Sequence, residues 1–457
     1  MKHVRPLIMS MLIMTLLGLF LSVPFADRSL AQNKTATPKP PTPTKTATST
    51  KTATPTKTAT PTKTITPTKT ATPFVSHPVY PDRVLYTATQ LQAAYGLKEL
   101  IDAGYDGEGQ TIALVETDSY VQRDIDAYVK TNHLPKPHIK KIASSDPKGK
   151  PVPSHGEATA DIEVILSIAP KVNILVYEDP TLVEAFSAIS TSTDFNVVSV
   201  SLAICELVLP NDYFTYFHDF MASARSNHVS IFVGSGDWGA FGCSVQIDPS
   251  THKQVAPAVA KRQAVSGLAS DPLVTAVGGT ILHLKNGVYS SEEVWNSRLM
   301  SVAASGGGVS TYWPLPDYQK DYLLDHTLNA HQTRQLPDVA ASADNYGLII
   351  QGEAVQASGT SLSTPLWAAG TLLVNQYLTD KLNNPNAVLN APDMLYQIKT
   401  GYASGTLDKV PFHEVLMGDN KFFLAGPDYN LATGLGTPNF YNIALDAEQL
   451  YLQKKAK

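Results

Sequence analysis

The sequence predicts an α/β fold: a doubly wound, mostly parallel sheet flanked by helices. Short apolar runs at 111–115, 173–177, 197–200, 229–233 and 275–277 have the composition of parallel strands buried on both faces. Between them lie stretches with helical length and apolar spacing at 90–103, 157–168, 182–191, 213–227 and 364–378. Pro365 is expected in a first helical turn, where proline is tolerated. From Tyr86 onward about 370 residues follow without a second linker, which suits one large domain, here 75–457. A sheet of this kind places its site at the carboxyl ends of the strands.

The front of the chain is of another kind. Lys2 and Arg5 precede an apolar run at 7–23, with small residues at Ala26 or at Ser29-Leu30-Ala31 suited to cleavage. Residues 1–31 therefore read as a secretory signal peptide, with an uncleaved anchor as the alternative because the run is only slightly shorter than the ~20 residues of a spanning helix. Residues 32–74 form a Thr/Lys/Pro-rich linker whose unit Thr-Lys-Thr-Ala-Thr-Pro places lysines at 45, 51, 57, 63 and 69. Regular prolines, threonines and like charges favour an extended spacer over a packed structure. It reads either as a stalk associated with a cell envelope or as a disordered leader, and composition does not separate the two.

Charge divides at the same boundary. Ten Lys/Arg and one Asp lie before residue 75, leaving 25 basic and 39 acidic residues in the body. An acidic body argues against nucleic acid as a partner and is compatible with work at low pH. Cys205 and Cys243, in a chain marked for export, point to one disulfide, with two buried thiols as the alternative.

Ser361 lies in Ser358-Gly359-Thr360-Ser361-Leu362-Ser363-Thr364-Pro365, which reads as a strand-to-helix turn. A hydroxyl there sits at the positive end of a helix, and Gly359 lets a substrate backbone approach. A serine needs a base. Glu157 and Asp161, in His155-Gly156-Glu157-Ala158-Thr159-Ala160-Asp161, share a helix face at i and i+4 and supply a carboxylate pair. Asp237, in Val233-Gly234-Ser235-Gly236-Asp237-Trp238-Gly239, follows a buried strand. Protonated, it would donate to an oxyanion; ionised, it would repel one. Its plain alternative is a turn aspartate serving its own backbone.

Four blocks in this order resemble the sedolisin family of serine-carboxyl peptidases, which share the subtilisin-like fold. They are Gly156-Glu157-x-x-x-Asp161-Ile162-Glu163; Ser235-Gly236-Asp237-x-Gly239; Val274 to Thr280 with Gly306-Gly307-Gly308; and Ser358-Gly359-Thr360-Ser361-x-x-x-Pro365. The resemblance runs from Thr87 to Pro438. It implies Ser361 as nucleophile, Glu157 as general base and acid, Asp161 as the group orienting Glu157, and Asp237 as oxyanion donor. It further implies a secreted, monomeric peptidase acting on proteins or peptides at acidic pH, as an endopeptidase or, alternatively, a tripeptidyl exopeptidase. A subtilisin-like Ser/His/Asp reading would use His155 with Asp118, but there an aspartate at 237 would oppose the oxyanion. A binding protein without turnover is the alternative from another class.

Three departures from the family follow. The leader and linker leave no room for the family's folded prodomain. Ala203, in Ser199-Val200-Ser201-Leu202-Ala203, stands where the family has glycine and is expected to narrow a subsite. The family's calcium loop corresponds to Glu414, Val415, Gly426, Asp428 and Asn430, with Glu414 and Asn430 in place of aspartates and Asp428 in place of a glycine. One Ca²⁺ is expected with a weakened ligand set, against a loop that closes without metal.

Overall fold

The computed structural model describes residues 85–143, 152–248, 253–297, 303–323 and 332–456. The signal segment and the repeat tract lie outside the described residues. Among the described residues, no helix is long and apolar enough to cross a membrane.

An eight-stranded sheet runs in the spatial order Val339–Ser342, Thr275–Lys285, Ser230–Gly234, Val197–Val200, Thr111–Glu116, Asn173–Glu178 and His138–Ala143, with Val288–Val294 attached to Thr275–Lys285. Only that attached strand pairs antiparallel; the rest of the ladder is parallel. Both faces are covered, which is why the strands carry no polar alternation. Ile112 and Leu114 point into one apolar cluster with Ile162, Ile165, Leu366 and Trp367. Ala113 and Val115, one residue out of phase, point into the other with Phe186, Phe217 and Met221.

Each apolar run forms its strand, and 275–277 grows into the longer Thr275–Lys285. The expected helix at 90–103 is two, Ala88–Ala94 and Lys98–Asp102. Gly96 breaks it at φ +67°, where a Cβ would lie 2.4 Å from Asn439 Oδ1. The Ser361 helix begins earlier than expected and spans Thr360–Leu382, so Pro365 lies inside it rather than in its first turn.

The chain leaves Thr111–Glu116 towards Asn173–Glu178 and His138–Ala143 on one side, and later continues from Val197–Val200 on the other. The order reverses there, opening a crevice at the carboxyl ends of Thr111–Glu116 and Val197–Val200. Just before strand Val339–Ser342, fully buried Arg334 grips Asp338 with two nitrogens, at 2.6 and 2.5 Å. Tyr396, the Gln319 side-chain amide and the backbone amide of Ala276 also donate to the carboxylate, at 2.9, 3.3 and 2.7 Å. Cys205 and Cys243 are buried and disulfide-bonded, Cα to Cα 5.1 Å, as their export context suggested.

Candidate active site

Glu157 opens the helix Glu157–Ile168, behind Gly156 in the left-handed region at φ +108°. That turn is held by Asp118. Its Oδ2 accepts from the backbone N–H groups of His155, Gly156 and Glu157 at 2.7, 2.8 and 3.2 Å, and its Oδ1 from Ala158 at 2.9 Å. A carboxylate satisfying the free amides of a helix start is stabilised by them and by the helix dipole. Asp118 thus positions Glu157 through backbone bonds, and the exposed His155 meets it through its amide.

One turn on, fully buried Asp161 accepts from the Ser201 hydroxyl at 2.5 Å. Ser201 follows strand Val197–Val200, and its oxygen also lies 3.1 Å from the Ser361 carbonyl. A hydroxyl has one hydrogen, and the shorter contact is typical of O–H to a carboxylate. Behind Asp161 stands Glu116, the last residue of Thr111–Glu116 and fully buried. Both Glu116 oxygens, Glu157 Oε1 and Asp161 Oδ1 are buried without a donor. Acceptors crowded together in this way are satisfied when some carry protons.

The electrostatics agree. Burial raises the Glu157 carboxyl well above its ordinary value and the Asp161 charge raises it further, while the neighbouring Ser361 hydroxyl lowers it. Burial also raises Asp161, against hydrogen bonds with Ser201 and Glu116 that lower it. Glu116 is raised by burial and then by the charges of Asp161, Asp118 and Glu157, and the closeness of the Asp161 carboxyl raises it again. Both carboxyls are raised, so burial and mutual repulsion favour a proton held between Glu116 and Asp161.

Ser361 is the second residue of its helix and nearly buried. Gly359 precedes it at φ +150°, and a Cβ there would lie 2.9 Å from Asp237 Oδ2. Asp237 Oδ1 accepts from the Thr360 amide and hydroxyl, both at 2.8 Å. Its other oxygen remains on the Gly359 side. Burial raises the Asp237 carboxyl above its ordinary value despite the two Thr360 bonds that lower it. Glu157, Asp161, Asp237 and Ser361 are therefore brought together. Beside them, Ala203 Cβ lies 3.4 Å from the position of a Cβ on Gly236. The two line a cavity of about 10 Å³ with Cys205, Ser235 and Trp238, room for one water.

The loop expected to hold calcium is built differently. Lys399, 4% exposed, directs its Nζ to Glu414 Oε1 at 3.3 Å and to Asp428 Oδ1 at 3.9 Å. Asn430 Oδ1 is taken by the amides of Ala432 and Thr433 and the Thr433 hydroxyl, at 3.1, 3.0 and 3.1 Å. Its Nδ2 donates to the Gly426 carbonyl at 3.2 Å. Val415 is buried against Val294 and Ala432. Calcium needs six to eight oxygens, whereas this cluster contains an ammonium and an amide N–H. Among the described residues no group of three or more His, Cys, Asp or Glu could hold a metal ion. The expected ligand set of Glu414, Val415, Gly426, Asp428 and Asn430 does not fit Ca²⁺.

Glu116, Asp118 as a helix cap, Ser201 and Lys399 went unread in the sequence. The signal for the first was available: a glutamate closing an otherwise apolar buried strand, directly where the fold class places its site.

No protein-family model matches the chain. Kumamolisin of Bacillus sp. (strain MN-32) is 30% identical over 378 residues, 77% of this chain and 62% of the relative. Sedolisin of Pseudomonas sp. (strain 101) is 31% identical over 235 residues, 48% of this chain and 37% of the relative. Tripeptidyl-peptidase 1 of Mus musculus is 28% identical over 306 residues, 62% of this chain and 50% of the relative. The chain thus spans less than two thirds of the length of each. The solved structure of Pseudomonas sedolisin, complexed with two molecules of pseudo-iodotyrostatin, superposes with a TM-score of 0.65 at 22% identity. That superposition covers 82% of this chain and all of the other. It is a likeness of fold, and it agrees with the parallel α/β architecture expected from the sequence.

Proposed function

Taking as premise that this chain is a homologue of the sedolisin and kumamolisin peptidases, we propose that it hydrolyses peptide bonds through an acyl-enzyme on Ser361 at acidic pH. The observation that carries the reading is the placement of the nearly buried Ser361 beside Glu157, a buried carboxyl whose leading charged influences are the neighbouring acids Asp161, Asp118 and Asp237. Glu157 takes the Ser361 proton as Oγ attacks the substrate carbonyl. The C=O π-electrons move onto oxygen, and Asp237, protonated on its free oxygen, donates to that oxyanion. Collapse breaks the C–N bond, and Glu157 returns the proton to the leaving amine. Water then attacks the ester with Glu157 again as base, releasing the acid and restoring Ser361.

Acidic action follows from the same groups. Asp237 donates only while protonated, and burial extends its protonated range upward. Asp161 and Glu116 share a proton, which keeps negative charge available to orient Glu157 without expelling it. Because Asp118 is committed to four backbone amides, it is no partner for a His155 imidazole, and the Ser/His/Asp alternative loses its third member.

The reading includes the domain plan of leader 1–31, linker 32–74 and peptidase domain 75–457, with export and a monomeric state. The disulfide supports export. Digestion of a denatured protein across acidic and neutral pH, with Ser361→Ala and His155→Ala alongside, tests the mechanism. Hydrolysis limited to acid, absent in Ser361→Ala and retained in His155→Ala, is expected. Loss in His155→Ala with survival in Glu157→Ala would overturn it. Mass spectra of the products distinguish internal cleavage, the reading preferred here, from sequential release of tripeptides.

A further inference from the structure

We propose that the ammonium of Lys399 is a resident cation that does the work of a metal ion in the carboxy-terminal loop, making this loop independent of calcium. Lys399 lies on the helix Asp393–Ala403 and is buried there. The charged end emerges between Glu414 and Asp428, carboxylates 14 residues apart in the chain and each partly open to solvent. A cation common to both joins two ends of a loop that has little regular structure of its own, only Phe412–His413 pairing with Thr437–Pro438.

Tyr322 shows that the two carboxylates face one space. Burial first, then the charges of Asp428 and Glu414, raise its phenol above its ordinary value. A metal would need oxygens directed there. Asn430 instead turns its Nδ2 towards Gly426, and its orientation is fixed because three donors converge on Oδ1. Flipping the amide would set donor against donor at both backbone contacts. The loop therefore presents N–H groups and an ammonium to the carboxylates and carbonyl, the inverse of an all-oxygen cage.

The test reads thermal stability and calcium binding on the folded protein, so it does not depend on peptidase activity. Extracellular modules bind calcium at about 10⁻⁴–10⁻³ M, and about 10 mM would saturate a site of that kind. Wild type is expected to melt at one temperature in excess chelator and in about 10 mM calcium, and to give no calorimetric binding signal. A saturable rise in Tm with calcium would overturn the proposal. Lys399→Met keeps the apolar stem and removes the charge; its Tm should fall by several degrees, and an unchanged Tm would assign Lys399 to packing alone and likewise overturn it. Lys399→Met with Asn430→Asp supplies a third carboxylate and an open place, and its Tm should rise with calcium. If that double variant is also indifferent to calcium, ammonium and ion do not compete for one position and the proposal fails.

Discussion

Two buried groups of acids in this molecule reach opposite solutions. Asp338 meets Arg334 in a bidentate pair, with a phenol and two amides also donating to it. Glu116, Asp161 and Glu157 are as deeply placed, but their leading electrostatic neighbours are other carboxylates, and four of their oxygens lack a donor. A buried charge is tolerated when paired; an unpaired one is removed by taking up a proton. The first arrangement fixes structure through charge pairing. The second stores mobile protons beside a nucleophile.

The largest break in this comparison is at the nucleophile. Ser361→Ala should reduce kcat by on the order of 10⁵–10⁶, and Glu157→Gln by a comparable factor, in initial-rate assays at the acidic optimum. Asp338→Asn leaves Arg334 buried without its counter-charge and should cost about 3–5 kcal/mol in denaturant melts. The same change among the protonated acids, Glu116→Gln, should cost far less stability. Parity between Asp338→Asn and Glu116→Gln would show that the two groups are not held by different means.

Asp237→Ala should lower turnover by about 10²–10³ by removing an oxyanion donor. Asp237→Asn donates at any pH and should retain part of the rate while extending it towards neutrality. A wild-type profile in Asp237→Ala would make Asp237 a helix cap for Thr360 and nothing more.

The smallest effect concerns Glu163, whose carboxyl is pushed up from 4.5 to about 9, mainly by burial. With the folded value above the unfolded one, the folded state holds the extra proton between them. Stability is therefore full below the ordinary carboxylate value and declines as pH rises towards 9. From about pH 5 to about pH 8 the loss should be a few kcal/mol at most, seen as a falling Tm. Glu163→Gln should flatten that slope, and an unchanged slope would assign the effect elsewhere.

The four groups brought together were legible because each sits in a local pattern: Glu157 and Asp161 one helical turn apart, Asp237 between glycines after a strand, Ser361 at a strand-to-helix turn. The sheet was legible because its strands are uninterrupted apolar runs. Glu116 and Ser201 escaped because their roles arise from neighbouring strands, Thr111–Glu116 and Val197–Val200, whose pairing no local pattern states. Lys399 escaped for a related reason. A lone lysine on an amphipathic helix reads as solvated, and its partners lie in a loop beyond it. The calcium expectation followed residue types at matching positions, and types do not reveal which end of an amide faces inward.

Pro365 carries a last consequence. It has no N–H, so the carbonyl of Ser361, four residues earlier, lacks its usual partner within the helix. The oxygen of Ser201, the residue after strand Val197–Val200, stands there at 3.1 Å, but its hydrogen already goes to Asp161. The turn that carries the nucleophile is thus tied by one helical hydrogen bond fewer than the turns that follow it. Its alignment rests instead on the bonds that the amide and hydroxyl of Thr360 make to Asp237.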